Sequence, residues 1–313
     1  MEFLGISNAI KLFFHNNYQF RCDLIDKLRM LGMLNWLPDD SFIKLVYRIH
    51  FNRHINLKKP ESFNEKLNWL KLNYRHSIQS RMVDKCEAKA YVQEMIGEQY
   101  IIKNYGVWNS FDDIDFDQLP NKFVLKCTHD SGSIVICKDK ANFDRLSARE
   151  RITQSMNKNL FWWGREWPYK NVKPRILAEE FLEDSSDNDL KDYKFFCFNG
   201  KVKCYKIDFG RFTCHKANYY SPDGELLDIS EVVCQSDPTH NIEIPTTINT
   251  MIQLAEELSK GFPFLRVDFY SVNNNIYFGE LTFYPAAALS PFTKYESDLM
   301  LGQYLTLPNL NTV

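Results

Sequence analysis

The chain has 313 residues, enough for one large domain or two to three lobes, with a formal net charge of −2 and a sequence pI of about 6.4. That balance argues against nucleic acid as the main partner, and 44% hydrophobic residues with 15% aromatics imply a large core. Eight cysteines without a CxxC pair and seven histidines without zinc-ligand spacing argue for reduced, mostly buried thiols, against a disulfide framework or a structural zinc site.

In chain order, MEFLGISNAIKLFFHNNYQF has apolar residues at mixed spacing, and packing against the body of the protein is expected over rest on a membrane surface. No secretory signal peptide and no apolar run of bilayer-spanning length is found. Residues 1 to about 80 read helical. SFIKLVYRIHFNRH carries Phe42, Ile43, Leu45, Val46 and Ile49 on an expected helix face. PESFNEKLNWLKLNYRH opens with a Ser62-x-x-Glu65 capping box, although Glu65-Lys66 also fits a solvated first turn. A helix from about Asp84 to Met95 stops at Gly97, YIIKNYGVW reads as a strand, and Asp112 to Asp117 as an acidic loop.

KFVLKCTHDSGSIVI, residues 122 to 136, reads as a hairpin with Ser131-Gly132-Ser133 at its tip. Its first strand carries Lys126, a costly residue to bury without an anion. A Ser/Gly tip lets backbone N–H groups approach an anion, so the two together suggest a phosphate clamp. ANFDRLSARERITQSMNKN follows as a helix, then the aromatic, basic and irregular FWWGREWPYKNVKP. RILAEEFL is an expected strand leading into Glu179-Glu180-Phe181-Leu182, a strand end whose free backbone groups could read an adenine edge. DYKFFCFNGKVKCYKIDFGR gives two strands around Asn199-Gly200, and TTINTMIQLAEELSKGF a helix. RVDFYSVNNNIYFGELTFYP is a second hairpin, turning at residues 273 to 275, and a short tail closes the chain.

On that last hairpin Arg266 and Asp268 share one face, as do Glu280 and Thr282 on the return strand, and a bulge is expected near Gly279. Facing carboxylates repel unless a cation bridges them, and oxygen ligands suit Mg²⁺. Alone, each hairpin also fits ordinary surface structure.

The order of Lys126, the Ser-Gly loop, Glu179-Glu180-Phe181-Leu182, Asp192, Arg266/Asp268 and Glu280-x-Thr282 resembles the ATP-grasp superfamily, and most closely its TupA-like (teichuronopeptide-biosynthesis) branch. FNEKLNWLK, VDKCEAKAYV, LPNKFVLKCTHDSGS, REWPYKNVKPRILAEEFL, DYKFFCFNGKV and RVDFY with YFGELTFYP carry the resemblance, from about residue 40 to 302. It implies an α+β fold in which two antiparallel-sheet lobes clasp a nucleotide behind a mainly helical N-terminal region. The expected divisions are 1–80, 81–178 with the phosphate clamp, and 179–313 with the metal hairpin. It also implies ATP and two Mg²⁺ ions. Lys126 and Lys85 would meet phosphates under Ser131, Gly132 and Ser133. Glu179 and the backbone of Glu180, Phe181 and Leu182 would read adenine, and Asp192 the ribose. Asp268, Glu280 and Thr282 would hold metal. Many ATP-grasp enzymes carry Asn where this chain has Thr282, and after TFYP, where glycine is expected, it reads Ala286-Ala287-Ala288.

The implied reaction joins a carboxylate to an amine through an acyl phosphate, with Arg266 stabilising the oxyanion. The implied substrates are an amino acid and a uronic acid, free or linked to a lipid or nucleotide, in bacterial surface-polysaccharide synthesis. The implied setting is cytoplasmic, with at most peripheral contact at the inner face of the membrane. Arg211, Arg165, Trp167 and Lys170 are candidate contacts for an acidic or sugar substrate. Three rivals stay open: an ATP-grasp kinase with a hydroxyl acceptor, a non-catalytic nucleotide- or sugar-binding scaffold, and a glycosyltransferase around Asp113-Ile114-Asp115.

Overall fold

The computed structural model describes residues 18–183, 190–210 and 214–309. Arg211, most of the leading stretch and most of the polar loop before Asp192 lie outside the described residues.

Among the described residues, five helices come first: α1 (Tyr18–Met30), α2 (Asp39–Phe51), α3 (Phe63–Asn73), α4 (Ser77–Val83) and α5 (Lys85–Ile96). In α2, Phe42, Ile43 and Val46 are fully buried, whereas Leu45, although three residues after Phe42, points well away from Ile43 and Val46 and is exposed, so the expected face is narrower than the sequence suggests. At the start of α3, Ser62 Oγ accepts from the Glu65 N–H at 3.4 Å and Glu65 Oε2 accepts from the Ser62 N–H at 3.3 Å. Glu65 also accepts from the Asn56 and Glu61 N–H groups, so it is a buried cap and not part of a solvated turn. Asp84 caps α5 through the N–H groups of Cys86 and Glu87, and Gly97 follows its end.

Two antiparallel sheets form the body. The smaller contains β1 (Asn104–Trp108), β2 (Phe123–Cys127), β3 (Val135–Cys137) and β4 (Ile176–Glu180), in the order β1-β4-β2-β3. Opposite residues share a face, and the pairs Val124/Glu179 and Lys126/Leu177 define one of its two faces. Phe123, Leu125, Cys127, Ile176 and Ala178 define the other, which packs with Ile152 of α6 (Arg145–Met156).

The larger sheet contains β5 (Asp192–Phe198), β6 (Lys201–Phe209), β7 (Lys216–Tyr220), β8 (Leu226–Leu227), β9 (Phe264–Val272) and β10 (Asn275–Thr282), in the order β10-β9-β5-β6-β7-β8. Asn199 and Gly200 join β5 to β6, both at positive φ, and Asn273 and Asn274 join β9 to β10 in the same way. The apolar face of this sheet carries Phe195, Val267, Phe269 and Leu281, against Met251, Ala255 and Leu258 of α8 (Ile248–Leu258). A short helix, α7 (Leu160–Gly164), lies in the irregular aromatic segment.

The C-terminal region is more than a tail: α9 (Tyr295–Tyr304) packs back on α3, where Lys66 Nζ donates to the carbonyls of Gly302 and Leu305 at 2.8 and 2.7 Å. All eight cysteines are free, six of them buried. Among the described residues no helix is long and apolar enough to cross a membrane.

Candidate functional site

Strand parity assembles most of the site. On the face of the small sheet that lacks the core, Lys126 of β2 pairs with Glu179 of β4. A second cation arrives from α5: Lys89 Nζ lies 2.9 Å from Glu179 Oε2 and donates to the Ile102 carbonyl at 2.9 Å. Burial opposes the Glu179 charge, yet the two ammonium groups override it and hold the carboxyl down at about 2. Lys85 and Lys89 are four apart on one helix, so the signal for Lys89 was available: VDKCEAK places two lysines on one face.

Lys126, Glu179, Val124, Phe181 and Leu182 line a cleft of about 1150 Å³ that reaches Tyr270 of β9 in the large sheet. The Glu180 N–H is bonded to the Lys103 carbonyl at 3.0 Å, while Phe181 and Leu182 face the cleft beyond it. At the hairpin tip Ser131 and Gly132 are exposed, and Gly132 has φ +95° with open space around its Cα. Ser133 is buried instead, with Oγ donating to Asp130 Oδ1 at 2.7 Å and accepting from the Cys127 N–H at 2.8 Å, so it braces the turn. Lys85 donates to the Asp130 carbonyl and lines a small adjoining cavity with Tyr169 and Glu280.

The large sheet meets this cleft at Tyr270, and its polar face carries a second charged cluster. Arg266 grips Asp268 with two bonds of 2.7 Å and reaches Glu280 Oε1 at 2.6 Å. Thr282 Oγ1 donates to the same Glu280 oxygen at 3.3 Å. Between Phe278 and Glu280 the register slips by one residue at Gly279, the expected bulge, and this turns Glu280 opposite Asp268. The Asp268 side chain is 2% exposed and that of Glu280 43%. Burial works against the Glu280 charge, but Arg266, Lys85 and Lys194 hold its carboxyl below the usual range. Lys194 sits centrally, 2.6 Å from Asp192, 2.7 Å from Asp208 and 3.9 Å from Asp268. Asp192 therefore lies on this charged face, opposite Tyr270. Lys194 is two residues on from Asp192, and strand alternation could have assigned it to the same face.

The aromatic segment supplies a floor. Arg165 is a clamp and not a substrate contact: it is 1% exposed and donates to the carbonyls of Leu34, Asn35 and Leu37. Lys71 of α3, fully buried, donates to the Gly164 carbonyl at 2.9 Å and to the Ala287 carbonyl. It ties this segment to the turn after β10. There Ala286, Ala287 and Ala288 all have positive φ, 48°, 55° and 50°. The backbone takes the left-handed path that favours glycine, although alanine occupies it. Glu166, which no sequence pattern singles out, is 6% exposed between these features.

A D-alanine–D-alanine ligase of Bacillus anthracis, solved with ATP, is similar over 72% of this chain and 63% of its own, at 16% identity and a TM-score of 0.39. The corresponding ligase of Helicobacter pylori matches 79% of this chain and 70% of its own, at 14% identity and a TM-score of 0.40. The ATP-grasp ligase PsnB, solved with a phosphomimetic variant of its minimal precursor, Mg and ADP, matches 75% of this chain and 60% of its own, at 11% identity and a TM-score of 0.36. The chain thus spans less than two thirds of the length of two of these three structures. No curated protein matches it. The sequence profile described as TupA-like ATPgrasp matches residues 65–306, from the capping glutamate of α3 to just past α9, and the chain belongs to that family.

Proposed function

We propose that the protein is an ATP-dependent carboxylate–amine ligase, attaching an amino acid to a uronic-acid carboxyl in surface-polysaccharide synthesis. The observation that supports the ligase reading is a cleft of about 1150 Å³ lined by Lys126, Glu179, Phe181 and Leu182 and reaching Tyr270, beside a small cavity shared by Lys85 and Glu280. Lys126 and Lys89 converge on Glu179 in the small sheet, and Asp268 and Glu280 are held on paired strands of the large sheet. The family supports the nucleotide; the acceptor rests on the resemblance alone.

The donor set fits a divalent cation. Four carboxylates, Asp192, Asp208, Asp268 and Glu280, share a face with three cations, Lys194, Lys206 and Arg266, so negative charge is in excess. Glu280 and Thr282 present oxygens at the open side, where water and phosphate oxygens can complete a shell. When bound, Mg²⁺ supplies charge neutralisation of the transferring phosphoryl group. Lys126 is placed to meet phosphate oxygens once its pairing with Glu179 gives way, with Lys89 left to keep Glu179 compensated. Phe181, Leu182 and Val124 give a flat ring an apolar seat. Arg266, locked by Asp268 and Glu280, keeps its charge without moving, a preorganised donor for a carbonyl oxygen that becomes anionic.

Calorimetry of ATP with and without Mg²⁺ tests this. Binding should require Mg²⁺ and vanish in the Asp268→Asn/Glu280→Gln double variant. Binding that survives both omissions would remove the metal-bridged reading. Phosphate retained on a sugar, in place of release with an amide, would reassign the protein as a kinase.

A further inference from the structure

Strand register brings three unlike donors together on the polar face of the large sheet. Asp208 of β6 pairs with Ala217 of β7, and His215 stands two residues before Ala217, so alternation puts it on the face that carries Asp208. Its Nε2 lies 3.7 Å from Asp208 Oδ2. Cys234 arrives on the segment after β8, which is fastened to β7. The Ala217 N–H donates to the Gln235 carbonyl at 3.3 Å, the Asp237 N–H to Asn218 Oδ1 at 2.9 Å, and Asn218 Nδ2 to the Asp237 carbonyl at 2.8 Å. One oxygen, one nitrogen and one sulfur, from Asp208, His215 and Cys234, thereby lie within 4.8 Å of one another. Four-coordinate zinc, with bonds of about 2.0–2.3 Å, sets its ligand atoms about 3.3–3.6 Å apart, so a small swing of the exposed His215 ring closes the set. A second trio, Asp84, Cys86 and Glu87, is equally close but already spent. Asp84 Oδ1 accepts from the Cys86 and Glu87 N–H groups and from Arg175, which also holds Glu87. At the first trio, Lys194 stands 2.7 Å from Asp208 Oδ2 and Lys206 3.6 Å from Oδ1, and both oppose a further cation. Each has a second acidic partner, Asp192 at 2.6 Å and Glu231 at 3.0 Å, so neither is left uncompensated when Asp208 binds a metal.

We propose that Asp208, His215 and Cys234 form a zinc site, with a water completing the tetrahedron on the exposed His215 side. It is separate from the Mg²⁺ site of Asp268 and Glu280, because Lys194 of the intervening β5 stands between Asp208 and Asp268, and it does not rest on the ligase reading. A sulfur, a nitrogen and an oxygen suit Zn²⁺, whereas Mg²⁺ takes oxygen ligands. On binding, the Cys234 S–H bond breaks, the sulfur gives its electron pair to the metal and the proton goes to solvent. The ion clips together β6, the approach to β7 and the segment carrying Cys234, where Glu231 already accepts from Lys206 and the Tyr219 hydroxyl. Its binding free energy is then folding free energy. Ligands at positions 208, 215 and 234 make no local zinc motif, which is why histidine and cysteine spacing pointed away from one.

The test titrates the reduced, chelator-stripped full chain with Co²⁺, a coloured stand-in for zinc. A thiolate–cobalt bond gives a charge-transfer band in the near ultraviolet, and cobalt on the carboxylates of the Mg²⁺ site does not. Wild type should develop the band with one equivalent and lose it when Zn²⁺ is added. Cys234→Ala should give no band. His215→Ala should need about 10²-fold more Co²⁺, since loss of an outer partner alone costs about 10- to 100-fold. His215 is exposed, so this variant separates loss of metal from misfolding at the buried Cys234. Cys214→Ser should behave as wild type, although that exposed thiol adjoins His215. Zn²⁺ should raise the melting temperature of wild type and Cys214→Ser and leave that of the other two unmoved. No band from folded wild type, an unchanged titration in His215→Ala, or loss of the band in Cys214→Ser would overturn the assignment.

Discussion

Glu179 shows how a single residue ties stability to the candidate site. Its carboxyl is held at about 2 against an ordinary 4.5, so it binds fewer protons folded than unfolded. Its stabilisation is therefore complete above pH 4.5 and is lost as pH falls through about 2. Fully expressed, a shift of that size is worth on the order of 3 kcal/mol. Glu179→Gln should lower stability at pH 7 by about that much, because Lys89 and Lys126 lose their shared partner. Urea titrations at pH 7 and at pH 3 should show the gap to wild type closing as the pH drops, and a gap of constant size would disprove the linkage. Lys126 was legible because an isolated lysine in an apolar strand asks for an anion. That its resting partner is Glu179, 53 residues further on and on the neighbouring strand, was not, since sequence spacing carries no cross-strand register.

At the scale of elements, hairpins announced themselves and α9 did not. Asn199-Gly200 and Asn273-Asn274 supply the positive φ that tight turns need, so both turns were legible from those pairs. The buried face of α9 consists of Ser297, Asp298, Leu301 and Gly302, which makes no apolar stripe to detect. It docks by polar bonds, with Asp298 accepting from the Asn64 backbone and side chain at 2.9 and 3.0 Å, and by close approach. A Cβ on Gly302 would lie 2.2 Å from the Glu61 carbonyl oxygen and 2.8 Å from the Phe63 nitrogen. Gly302→Ala should cost about 3 kcal/mol, the upper end for forced overpacking, read from the denaturation midpoint. A neutral effect would show that α9 can slide off α3. The alanine turn gives the opposite sign. Ala286 is exposed at φ 48°, so Ala286→Gly relieves left-handed strain while its small side chain packs against little, and a gain of about 1 kcal/mol in the same assay is expected. A decrease would mean that unfolded-state entropy outweighs the strain.

At the scale of the whole molecule, the two sheets and both charged hairpins were legible in the sequence but how they meet was not. Each charged face follows from local alternation of side chains. That Lys85 lines one cavity with Glu280, nearly two hundred positions later, depends on how α5 and the bulged β10 pack. A nucleotide seated in the cleft would touch both sheets, so its binding free energy should appear as global stability. At about 100 times Kd that is about 2.7 kcal/mol, which for a chain of this size raises Tm by about 5 °C. The metal dependence follows from charge. Asp268 and Glu280 share one face of the large sheet, with Glu280 on the small cavity that Lys85 also lines, and a cation set beside them would convert their repulsion of a phosphate into attraction. ATP with Mg²⁺ should therefore shift the melt by that amount, while Mg²⁺ alone or ATP with a chelator should shift it little. The Asp268→Asn/Glu280→Gln variant should melt at one temperature under all three conditions. An equal shift by ATP without metal would mean that Lys126 and Lys89 bind the phosphates alone, and the carboxylate cluster would then have to serve another end.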